Sequence, residues 1–166
     1  SWVEENISSV DAAILSIDQL PHGGLLAARE NTGNTDDENQ ALLFLTHLHE
    51  TNPTVPLYTF HVLPRLQPPA SMDSYEDRKN LIKYSRLHDE LTIFNNPEDL
   101  QTLRKLEEKI PEETRQKYSS IYKNNTLFNE KLLQMTNAGI MHSFLIGQDD
   151  SEDFGLPNIE KRQLQA

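Results

Sequence analysis

Pro56-Leu-Tyr-Thr-Phe-His-Val-Leu63 is the stretch on which the fold turns. It is short, dense in branched and aromatic residues, and fenced by Asn52-Pro53 before it and Pro64 after it. Asp11-Ala-Ala-Ile-Leu-Ser-Ile-Asp18 and Ile140-Met-His-Ser-Phe-Leu-Ile-Gly147 have the same character. Near-continuous apolar runs of this length fit strands covered on both faces, as in parallel sheets. A short buried helix has the same periodicity, so the flanks decide.

The flanks read as helices. Thr35-Asp-Asp-Glu38 is a capping-box pattern, and Ala41, Leu42, Leu45 and Leu48 follow at helical spacing until Asn52-Pro53 stops them. Ser74 or Asp73 caps a second helix, with Leu81, Ile82, Leu87 and Leu91 as its apolar positions. Asn96-Pro97 opens a third, proline being tolerated where no amide is needed. Pro111 opens a long fourth, striped by Tyr118, Ile121, Tyr122, Asn125, Phe128, Leu132 and Met135 and closed at Gly139. Trp2, Val3 and Ile7 suggest a helix end before the first strand. Strands alternating with helices predict βαβ crossovers and an α/β fold: three-layer, Rossmann-like, with a small parallel sheet. One α/β domain is expected over residues 1–157, with a polar tail at 158–166. Three strands leave two apolar sheet edges, so the chain is expected to be an excised piece of a larger protein, with self-association through those edges as a partner mode.

Composition excludes whole classes. The 166 residues carry 15 Lys and Arg against 26 Asp and Glu, a net charge of −11. Nucleic acid and anionic membranes are therefore not expected as partners, because phosphate binding needs a cationic footprint. No apolar run approaches the roughly 18 residues that span a bilayer. No signal-peptide pattern stands at Ser1, and the cytoplasm is the compartment expected. The chain has no Cys, which excludes a disulfide scaffold, a cysteine zinc site and a thiol nucleophile.

In open parallel sheets, ligands bind beyond the carboxyl ends of the strands. Asp18 and then Gly23-Gly24 and Arg29 follow the first strand; His61 and Arg65 mark the end of the second; Gln148, Asp149 and Asp150 follow the third. Asp18, Asp149 and Asp150 are the candidate catalytic residues, as general acid and base. The same carboxylates also suit a hard divalent cation, or one of them caps a turn. Gly23, Gly24, Arg29, His61, Arg65 and Gln148 are the candidate ligand-binding residues. Gly23-Gly24 is neither a dinucleotide fingerprint nor a P-loop, so no cofactor is specified. His47 and His49 point about 200° apart on a helix and do not make a metal doublet. No Gly-x-Ser-x-Gly or His-Glu-x-x-His motif is present.

Leu15-Ser-Ile-Asp-Gln-Leu-Pro-His-Gly-Gly-Leu-Leu-Ala-Ala-Arg29 resembles the S-L-D-x-L-x-Y-G-G-L-x-x-S-R signature of a bacterial family, domain of unknown function 4127. The likeness continues through Tyr58-Thr-Phe-His-Val-Leu-Pro-Arg65, Ile82-Lys-Tyr-Ser-Arg-Leu87, Asn129-Glu-Lys-Leu-Leu133 and Gly147-Gln-Asp-Asp150. It departs at His22, where the family has Tyr, and at Ala28, where it has Ser. The resemblance puts Asp18, Gly23, Gly24, Arg29, Arg65, Gln148, Asp149 and Asp150 on motif positions and implies no settled activity. Together these residues lead to the expectation of a carboxylate-rich cleft for a small polar molecule, with hydrolysis of sugar-like substrates as one reaction. A non-catalytic binding or scaffold module is the alternative.

Overall fold

The strands form where the apolar runs predict them. The computed structural model describes residues 1–24, 35–69, 72, 74–149 and 152–166, except the side chains of His22 and Thr35. In chain order the elements are α1 (Trp2–Asn6), a 3-10 turn (Ile7–Ser9), β1 (Ala13–Ser16), α2 (Gln19–His22) and α3 (Thr35–Thr51). There follow β2 (Leu57–Leu63), α4 (Tyr75–Phe94), α5 (Pro97–Glu107), α6 (Glu112–Asn137), β3 (Ser143–Gln148) and α7 (Leu156–Gln165). The sheet is open and all-parallel in the order β1-β2-β3, with Ala13 opposite Leu57 and Ser16 opposite Phe60. It is the sheet of a three-layer α/β fold.

Contacts gather the chain into two compact units. The first comprises Ser1–Ala28, Gly33–Val62 and Leu127–Gly147. Here α3 and the second half of α6 cover one face of the sheet: Ala41 and Leu45 meet Phe128 and Leu132 over Ile17, Leu15 and Phe144. β2 shows why this register is firm. Leu57, Thr59 and His61 are buried while Tyr58 and Phe60 between them are exposed, and a slip of one residue would exchange the two sets. Thr59 satisfies its buried hydroxyl by donating to the Ser143 carbonyl at 3.2 Å.

The opposite face differs from the sequence expectation of strands covered on both sides. Ile14 and Leu145 are 76% and 67% exposed. Within the described residues this unit supplies the sheet and one helical layer.

Among the described residues, the second unit comprises those of Leu63–Thr126 and Gln148–Ala166. Its core joins Leu81 and Tyr84 of α4, Leu103 of α5, Tyr118 and Ile121 of α6 and Leu156 of α7. Caps set the helix boundaries. Ser74 and Asp77 form a reciprocal capping box at α4, which ends in the left-handed Asn95; Asn96 caps α5, whose first residue is Pro97. Residues 158–166, expected as a polar tail, instead lie mostly within α7, where Asn158 and Glu160 are buried. Their sparse apolar residues hid the helix, because Asn158 and Glu160 on its buried face are polar groups satisfied by hydrogen bonds.

Candidate functional site

Asp18 occupies the N-cap position of α2, where an aspartate usually bonds to its own helix, yet it makes no such capping bond. Its carboxylate stands instead beside His61: Oδ1 lies 3.2 Å from Nε2, and the two side chains are 3% and 1% exposed. The chain holds Asp18 there by its backbone. Ile17 N–H bonds to the Phe60 carbonyl at 2.8 Å, and Gly24 N–H returns to the Asp18 carbonyl at 3.1 Å. Gly23 and Gly24 adopt φ of 75° and 140°, conformations that side-chain-bearing residues rarely take, so the tight return after Asp18 needs them.

His61 faces inward because β2 alternates, and its other ring nitrogen is also engaged. Nδ1–H donates to Oδ1 of Asn129 on α6 at 2.8 Å, both side chains being buried. The ring rests edge-on against Phe128, with centroids 5.8 Å apart. With Nδ1 donating to Asn129, a bare Nε2 would set its lone pair against a carboxylate oxygen in a dry site. Nε2 of His61 and Oδ1 of Asp18 are thus the facing polar atoms of that dry site. Asp18 Oδ1 makes no aligned hydrogen bond, so the contact with His61 is electrostatic and leaves that oxygen under-satisfied.

Glu38 adds a third ionisable group. It is 8% exposed in the first turn of α3, and burial holds its carboxyl above the ordinary value of 4.5, while Lys131 and His61 oppose the rise.

In the second unit, Arg65 and Asp149 pair through both Nε and Nη2 of the guanidinium. Tyr122 and Tyr118 fix the turn that carries Arg65 by donating to the Arg65 and Leu66 carbonyls, each at 2.7 Å. Gln148 donates to Asn158 at 3.2 Å and accepts from Lys161 at 3.0 Å. These partners are partly exposed, which screens their charges.

The residues singled out from sequence are thus joined as Asp18 with His61, beside Gly23 and Gly24, and as Arg65 with Asp149. Arg29 and Asp150 lie outside the described residues. The family described as Protein of unknown function (DUF4127) matches residues 1–166. The chain belongs to that family. No curated protein and no solved structure matches the chain.

For this DUF4127 member, the chemistry must be read from its own side chains. Among the described residues no three His, Asp or Glu side chains are grouped so as to hold a metal ion. No described helix is long and apolar enough to cross a membrane. Two members of the cluster escaped the sequence reading. Asn129 opens a stretch of the family resemblance and sits between Phe128 and Leu132 in a helix stripe, but the sequence alone gives it no role. Glu38 was legible only as the acidic end of a capping box.

Proposed function

We propose that the Asp18–His61 pair is the centre of a polar-ligand site at the carboxyl ends of β1 and β2. In this reading the fold is Rossmann-like, and Asp18 and His61 form an acid–base couple acting on a hydroxyl of a small, sugar-like molecule. Asp18 takes up the proton of that hydroxyl as the base, and the His61 ring beside it orients and steadies the carboxylate. Asn129 anchors the ring through Nδ1, and Glu38 supplies a carboxyl that burial biases toward its neutral form. Hydrolysis is the reaction class this couple suits best.

The observation that supports the reading is the imidazole held between Asn129 and an under-satisfied carboxylate, with both ionisable side chains almost wholly buried. Buried ionisable pairs are costly to keep for stability alone. The same depth of burial favours a second reading, a binding or scaffold module in which the pair only locks β1 to β2.

The test is a panel of mono- and disaccharides and nitrophenyl glycosides, read by thermal shift and by nitrophenol release. The acid–base reading expects a response in the wild type that Asp18→Asn and His61→Gln abolish. A ligand shift that survives both substitutions, with no turnover, supports the module instead.

A further inference from the structure

The bare face of the sheet in the first unit has a topological cause. Both crossovers step the same way, from β1 to β2 and from β2 to β3. Right-handed connections that step the same way lay their helices on the same side. The shared cluster of Ala41, Leu45, Phe128 and Leu132 puts α3 and α6 there. Among the described residues of the first unit, neither crossover supplies a helix to the other face.

That face is built as if to be covered. By strand alternation its positions are Ile14 and Ser16, then Tyr58, Phe60 and Val62, then Ser143, Leu145 and Gly147. None is charged, in a chain of which 25% is charged. The β1 edge has no charge or proline to deter pairing, although natural edges are usually guarded in that way. Beside it an apolar groove of about 170 Å³ is lined by Trp2, Val3, Ile7, Val10 and Ile14.

Charge selects the occupant. The first unit holds nine Asp and Glu, and Lys131 is its one Lys or Arg. Exposed Glu4, Glu5 and Asp11 belong to the segment that leads into β1. A second copy docking through the same face would bring acid against acid, and nucleic acid or an anionic membrane would be repelled. Sheets of this class are covered by helices, whose apolar stripe matches an uncharged strand face. We infer that this face docks an amphipathic helix of a partner protein, with an aliphatic stripe flanked by Lys and Arg. The inference is independent of the Asp18–His61 reading.

Two labelled synthetic peptides of about five helical turns test it, sharing one leucine stripe and flanked by Lys or by Glu. Fluorescence anisotropy with the whole chain is expected to show the Lys-flanked peptide binding at least tenfold more tightly, and more weakly as salt rises. Circular dichroism should show that peptide gaining helix on binding. Ile14→Lys and Leu145→Lys, both at exposed positions, are each expected to weaken it at least tenfold with an unchanged melting midpoint. Leu43→Lys, at an exposed position of α3, should bind as wild type. Equal binding of the two peptides, binding that ignores both face substitutions, or an extended bound peptide would overturn the proposal. So would a dimer of the chain in sedimentation that either face substitution dissolves, since a second copy would then be the occupant.

Discussion

His61 Nε2 stands 3.2 Å from Asp18 Oδ1, so one side chain from β2 and one from just beyond β1 face each other in a site closed to water. Removing either partner leaves the other as a buried, uncompensated group. Asp18→Ala and His61→Ala should each cost about 3–5 kcal/mol. The double substitution should cost less than the two together, by on the order of 1–3 kcal/mol. Urea unfolding of the four proteins checks this, and strictly additive losses would show that the two groups do not interact.

Glu38 makes stability fall as pH rises. Its carboxyl titrates above the ordinary value of 4.5 in the folded chain because it is buried, with Lys131 and His61 only partly offsetting that. The folded state therefore holds the proton longer than the unfolded state. The contribution is fully present below the unfolded value, declines from there upward, and is lost once pH passes the raised folded value. Glu38→Gln keeps the shape and removes the titration. The variant should gain on the wild type in melting temperature across that window and run parallel to it at lower pH. A constant difference from pH 3 to pH 7 would contradict the assignment.

What was legible in the sequence was whatever depends on local pattern. Apolar runs marked the three strands, and Ser74, Asn96 and Gly139 marked helix ends, because capping chemistry is written within three or four residues. Asp18 and His61 were singled out for lying at strand ends. Their contact was not legible, since it depends on β1 and β2 pairing in one register. The contact of Asn129 with the ring was not legible for a similar reason: 68 residues separate it from His61, and only helix packing brings its amide there. The α7 helix was missed because Asn158 and Glu160 look solvent-seeking until a partner such as Asn125, 2.5 Å from Glu160, satisfies them.

Two glycines separate backbone need from space. Gly155 has φ of 145°, and a Cβ there would meet Leu66 Cδ1 at 2.7 Å, whereas at Gly147 the nearest atoms would be 3.8 Å away. Gly155→Ala should cost more than about 1 kcal/mol through conformation and crowding together. Gly147→Ala should stay within about 0.5 kcal/mol. Chemical denaturation of both variants checks the contrast, and equal losses would refute it.

Asp89 completes the N-terminus of α7 from another helix. Gly155 at the N-cap has no side chain to offer, so Asp89 accepts the Gly155 N–H at 2.8 Å and Ser85 accepts the Leu156 N–H at 2.8 Å, both from α4. Asp89 is wholly buried and also pairs with Arg162 in the last turn of α7. One carboxylate thus holds both ends of that helix. Asp89→Ala leaves a buried amide without an acceptor and should cost about 1–3 kcal/mol, with Ser85→Ala near 1 kcal/mol. Arg162 is 41% exposed, so water can partly replace it, and Arg162→Ala should cost less than Asp89→Ala. Hydrogen exchange reads the effect locally. Residues 156–165 should lose protection in Asp89→Ala before the middle of α4 does, because the lost bond belongs to α7. Loss of protection in α4 first would mean that Asp89 stabilises its own helix rather than its neighbour.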